Sequence, residues 1–75
     1  MELNLFIKEF ASQFDDTDES EFSADTVYQE LDEWSSLMSM AIIAFVKTKY
    51  DKTITGKEVR ECETIKELFD LVASK

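Results

Sequence analysis

Histidine and proline are absent from these 75 residues, and glycine and cysteine occur once each, as Gly56 and Cys62. Each shortage removes a class of function or fold. Without histidine and with a single thiol there is no Cys/His zinc site, no Ser/His or Cys/His catalytic pair and no disulfide framework. Without proline, and with one glycine, tight turns between strands have little to build on, whereas a helical bundle needs neither residue. The longest apolar stretch, Leu37 to Val46 interrupted by Ser39, is far short of the ~20 residues that cross a bilayer, so membrane insertion is not expected. The missing disulfide pair and the absence of a signal peptide at the start point to a reducing, cytoplasmic setting. Cys62 is read as a small buried hydrophobe.

What is present is acidic charge, unevenly placed. The net charge is −9; residues 1–36 carry eleven acids and one base, and residues 37–75 six acids and seven bases. Such a first half repels a phosphate backbone, so nucleic acid is not an expected partner and basic protein surfaces are. The acids Asp15, Asp16, Asp18, Glu19 and Glu21 lack the ligand spacing and turn glycine of a calcium loop, and are read as a solvated connection with no metal site.

Apolar spacing gives the architecture. One domain is expected over 1–75, with a modest core for its size. Leu3, Phe6, Ile7, Phe10 and Phe14 form one helical stripe, predicting a first helix over about 3–14. Residues 15–35 then make a connection far longer than the ~2–8 residues usual between helices, pinned by Phe22, Val27, Tyr28, Leu31 and Trp34, with a short helical turn near 26–32. A second helix runs from Ser36 to about Lys49, with Ser35 as its cap and Lys47 and Lys49 at its negative end. Thr55-Gly56-Lys57-Glu58 and Thr64-Ile65-Lys66-Glu67 both fit a capping box, marking a short third helix over 56–61 and a fourth from 65 to about 73. The fold class is therefore all-α, a small four-helix bundle of three main helices, one short helix and a long first loop.

In the run Leu31-Asp32-Glu33-Trp34-Ser35-Ser36-Leu37, the Ser36 hydroxyl falls at a loop-to-helix junction, where a modifying enzyme can reach it. A serine followed by leucine at the head of an apolar second helix, then Tyr50-Asp51-Lys52-Thr53-Ile54, a short helix, and Thr64-Ile65 opening the last one, resembles the acyl carrier protein family along essentially the whole chain. From Trp34 to Val72 the resemblance needs no insertion. It implies a carrier and not an enzyme: a phosphopantetheinyl transferase would attach 4′-phosphopantetheine from coenzyme A to Ser36, and acyl groups would ride on the arm's thiol as thioesters. Acyl-transferring, condensing or acyl-activating enzymes are the partners so implied, in a specialised fatty-acid, polyketide or lipid pathway, with the carrier itself a monomer. An aminoacyl or peptidyl carrier would use the same arm, and an unmodified acidic helical interaction module is the reading from a different class.

Two departures from the family's pattern stand out. Its attachment motif is Asp-Ser-Leu, and here Ser35 holds the place of the aspartate, keeping the cap but not the charge. Many fatty-acid carriers also set acids along helix two, whereas this helix reads Leu37-Met38-Ser39-Met40-Ala41-Ile42-Ile43-Ala44-Phe45-Val46-Lys47, with none. Leu37, Met40, Ala41 and Ala44 are accordingly assigned to partner contact, on one face continuing from Ser36, and Ile42, Phe45 and Val46 to the core. Trp34 is read as an anchor for the end of the loop, with positioning of the prosthetic group as the alternative.

Overall fold

In the computed structural model, which describes residues 2–75, the apolar stripes become four helices: α1 (Leu3–Ala11), α2 (Ser36–Tyr50), α3 (Gly56–Glu61) and α4 (Ile65–Ala73). Two short 3-10 turns, Glu19–Glu21 and Tyr28–Glu30, punctuate the first connection. Among the described residues there is no strand, only an isolated antiparallel bridge between Val27 and Thr64. No helix among them is long and apolar enough to cross a membrane.

α1 ends three residues earlier than its apolar stripe suggests. The Ser12 hydroxyl and the Gln13 amide both donate to the Glu9 carbonyl, offering the backbone side-chain partners in place of the next helical turn. Gln13 and Phe14 then donate to Phe10 and Ala11, three residues back, a tighter winding that still delivers Phe14 to the core. The stripe's burial survives the change of helix type.

The core is largely aromatic. Phe6 and Phe10 of α1 are fully buried. Phe6 meets Phe45 and Tyr50 of α2 at 5.7 Å and Phe69 of α4 at 5.4 Å between ring centroids, while Phe10 meets Phe14, Phe22 and Tyr28 at 5.6–6.2 Å. Offset and edge contacts of this kind add about 0.5–1.5 kcal/mol each to simple burial. α2 contributes Ile42, Phe45 and Val46 to this interior, and α3 and α4 contribute Val59, Ile65, Leu68 and Val72. Cys62 is half-buried against the same cluster, where burial, helped by the nearby Glu67 carboxylate, raises its thiol above the ordinary value. A thiol so held is a poor nucleophile.

The long connection is fastened at both ends. Phe22 and Tyr28 are buried, and Val27, Leu31 and Trp34 half-buried. The Thr26 and Ala24 carbonyls accept the Ile65 and Lys66 amides at the start of α4. α3 carries the full Thr55/Glu58 capping box. At α4 only half of the expected box forms: Thr64 accepts the Glu67 amide, but the Glu67 carboxylate takes the Glu63 amide at 3.0 Å, one residue ahead of the cap.

Candidate functional site

Ser35 stands in extended conformation and its side chain accepts the Met38 amide at 3.3 Å, making Ser35 the cap and Ser36 the first residue of α2. The division of labour between the two serines follows from that geometry. Helix starts leave amides without intrahelical partners, and one oxygen before the helix satisfies one of them. With Ser35 supplying it, the exposed Ser36 hydroxyl is not needed to hold the helix.

The approach to this junction is rigidly set by its two predecessors. The Glu33 carboxylate accepts the Asp15 and Asp16 amides at 3.0 Å each and the Thr17 hydroxyl at 2.8 Å. The Thr17 bond, with smaller help from the two amides, holds that carboxyl below the usual range. The Trp34 indole lies 5.0 Å from the Tyr28 ring and 6.3 Å from Phe14 between centroids. Trp34 thus anchors the loop's end on the bundle, as the sequence suggested, and it also forms part of the space beside Ser36.

That space is a cleft of about 450 Å³ lined by Gln29, Trp34, Ser35, Ser36, Ser39, Met40, Ile43, Gly56 and Arg60. One wall is α2, the other is the start and end of α3, and the position of α3 is dictated from the first connection. The buried Tyr28 hydroxyl donates to the Val59 and Cys62 carbonyls. The Gln29 amide donates to the Val59, Arg60 and Cys62 carbonyls at 3.0–3.2 Å. Together they satisfy carbonyls that a six-residue helix leaves open at its carboxyl end. Burial raises the Tyr28 hydroxyl well above the ordinary phenol value, so it remains a donor across the working pH range.

The expected partner face divides in two. Leu37 and Met40 are 76% and 66% exposed, the largest apolar surfaces offered by α2. Met40 turns to the same cleft as Ser36. Ala41, half-buried, and Ala44, exposed, instead border a separate depression with Gln13, Phe45, Thr48 and Lys49. Met38, which shares methionine's gap-filling character, packs against the core. The acids of the first connection are exposed apart from the Glu33 clamp, and among the described residues no group of three or more His, Cys, Asp or Glu side chains is placed to hold a metal ion.

Gln29 and Arg60 are the site residues that sequence reasoning missed. They lie 7 and 24 positions from Ser36, on elements whose meeting no local pattern announces. No family model matches the chain, and neither does any curated protein or solved structure.

Proposed function

We propose that this chain is an acyl carrier protein whose Ser36 bears a 4′-phosphopantetheine arm. The observation that carries the reading is the split between Ser35, which caps α2, and Ser36, which is left exposed on its first turn beside a cleft. In attachment, the Ser36 oxygen would form a new bond to the pantetheine phosphate of coenzyme A as the diphosphate bond breaks. Adenosine 3′,5′-bisphosphate then leaves, and the serine proton passes to a base of the transferase. Neither base nor metal is asked of the carrier.

The residues present fit such a group. The cleft volume falls in the ~300–1,000 Å³ range of small-molecule sites, and it combines an apolar wall of Trp34, Met40 and Ile43 with the polar Gln29, Ser39 and Arg60. When bound, the arm supplies a thiol for thioester chemistry. The chain's own part is to hold the attachment point on a rigid junction and to offer Leu37 and Met40 to partner enzymes. A tethered group of this kind works at high effective concentration once a partner docks. An aminoacyl or peptidyl carrier would share this machinery, and the carboxylate-free second helix favours a specialised pathway over bulk fatty-acid synthesis.

The test is incubation with coenzyme A, magnesium and broad-specificity transferases, followed by intact mass. One added arm, lost in Ser36→Ala and retained in Ser39→Ala, is the expected result. Labelling that persists in Ser36→Ala, or none at all with several transferases, sinks the carrier reading in favour of an interaction module.

A further inference from the structure

The cleft beside Ser36 has one formal charge in its lining, the Arg60 guanidinium, and no carboxylate. Arg60 is exposed, so its guanidinium is open to a ligand at the cleft, in a chain of net charge −9. The ion pairs among the described residues are Lys47–Asp51, Lys66–Asp70 and Lys75–Glu58; Arg60 belongs to none of them. Its position is also supported from beneath. A Cβ built on Gly56 would sit 3.4 Å from Arg60 Nη1, so the guanidinium lies back over the first turn of α3. Its backbone is fixed too, because the Arg60 carbonyl accepts the Gln29 amide at 3.0 Å.

We infer that Arg60 is a positioning residue that binds the phosphodiester at the base of the arm and draws the arm into the cleft between α2 and α3. This inference rests on the carrier reading. A phosphodiester on Ser36 carries one negative charge at the mouth of the cleft. Asp32 and Glu33, four and three residues before Ser36 in the chain and outside the cleft's lining, give the loop side a negative charge that disfavours it; Arg60, in the lining, has a planar fork that suits two phosphate oxygens. Both fields push the same way. The arm's base is therefore oriented toward Trp34, Met40 and Ile43 and away from the acidic loop, before any partner docks.

The experiment compares holo wild type with holo Arg60→Gln and Arg60→Lys, each checked for one arm by intact mass, with melting of the apo forms as the control for folding. Phosphorus NMR reads the phosphodiester directly, and the Arg60 Nε resonance reads the other partner. The expected result is a phosphorus resonance displaced in Arg60→Gln and moved back toward wild type in Arg60→Lys. The Arg60 Nε signal of the wild type should shift between apo and holo forms, and that shift should fade with added salt. One arm on every variant with unmoved phosphorus and Nε resonances overturns the inference alone. No added mass on the wild type overturns the carrier reading and the inference with it. If Arg60→Gln melts poorly, the apo-to-holo shift of the wild-type Nε signal and the Arg60→Lys spectrum still decide.

Discussion

The Thr17 hydroxyl donates to the Glu33 carboxylate at 2.8 Å, tying the chain just after α1 to the residue three places before Ser36. The bond makes the attachment point's position depend on a titratable group. Hydrogen bonding lowers the Glu33 carboxyl in the folded state. A carboxyl lowered on folding stabilises fully above its unfolded value and loses that contribution as pH falls through the folded value.

Stability should therefore fall as the pH drops below the ordinary carboxylate range of ~4–4.5. Glu58, lowered chiefly by its bond to Lys75, adds to the same trend. Glu33→Gln should flatten part of this dependence while leaving the melt at neutral pH lower than wild type. Thermal unfolding at pH 7 and pH 3.5 on both proteins checks it. Acid also relieves repulsion among the 17 acids, so the comparison with Glu33→Gln, and not the wild-type curve alone, isolates the clamp.

A second expectation separates core from site. Phe10 is fully buried among four aromatic rings, and Phe10→Ala should cost about 3–5 kcal/mol. For a domain this small, whose whole stability is about 5–10 kcal/mol, that approaches unfolding. Ser36→Ala should cost less than about 0.5 kcal/mol, since Ser35 holds the cap. Parallel melts by circular dichroism give the answer. A near-normal melt for Phe10→Ala beside a collapsed one for Ser36→Ala would make Ser36 structural.

These two residues also show what a sequence can and cannot announce. Phe10 was legible because a stripe at helical spacing has one way to be buried, and the starts of α3 and α4 were legible because Thr55 and Thr64 act on amides only three residues away. Local chemistry misled where two local options competed. Ser12 and Gln13 take the Glu9 carbonyl and end α1 early, and Glu67 reaches past the cap to Glu63. The Glu33 clamp and the Arg60 cleft were not legible. Each joins segments 16 or more residues apart through polar side chains, which carry no periodicity, and a run of acids at 15–33 gives no hint that Glu33 bonds across the loop while Asp18 caps only its own turn.

The third expectation concerns docking. Met40 is 66% exposed, stands in the Ser36 cleft and adjoins the more exposed Leu37, so a transferase reaching Ser36 must cover both. Met40→Glu should leave the apo melt within about 0.5 kcal/mol of wild type. It should lower kcat/KM for arm attachment about tenfold, as removal of a moderate apolar anchor does. Salt should change the association rate more than the dissociation rate, because the acids steer encounter and the apolar face holds the complex. Unchanged kinetics for Met40→Glu, with neutralisation of the exposed Asp32 abolishing attachment, would place the interface on the loop.

The last expectation turns on Ser35, which holds the place of the aspartate in the motif that the chain resembles. Its oxygen caps the Met38 amide, and Ser35→Ala should cost about 1 kcal/mol by leaving that amide open. Ser35→Asp keeps a capping oxygen and sets a negative charge at the positive end of α2, worth about 0.3–1 kcal/mol at an exposed site. Repulsion from Asp32 and Glu33 offsets part of that gain, so the melt should match or slightly exceed wild type. If a transferase reads the charge and not only the cap, Ser35→Asp should also raise kcat/KM for attachment at Ser36, whereas Ser35→Ala should lower it through a frayed first turn. Helix stability from melting and attachment rate from intact mass then separate the two roles. A faster reaction with an unchanged melt assigns recognition to the charge, and equal rates in wild type and Ser35→Asp mean that a neutral cap is all the junction requires.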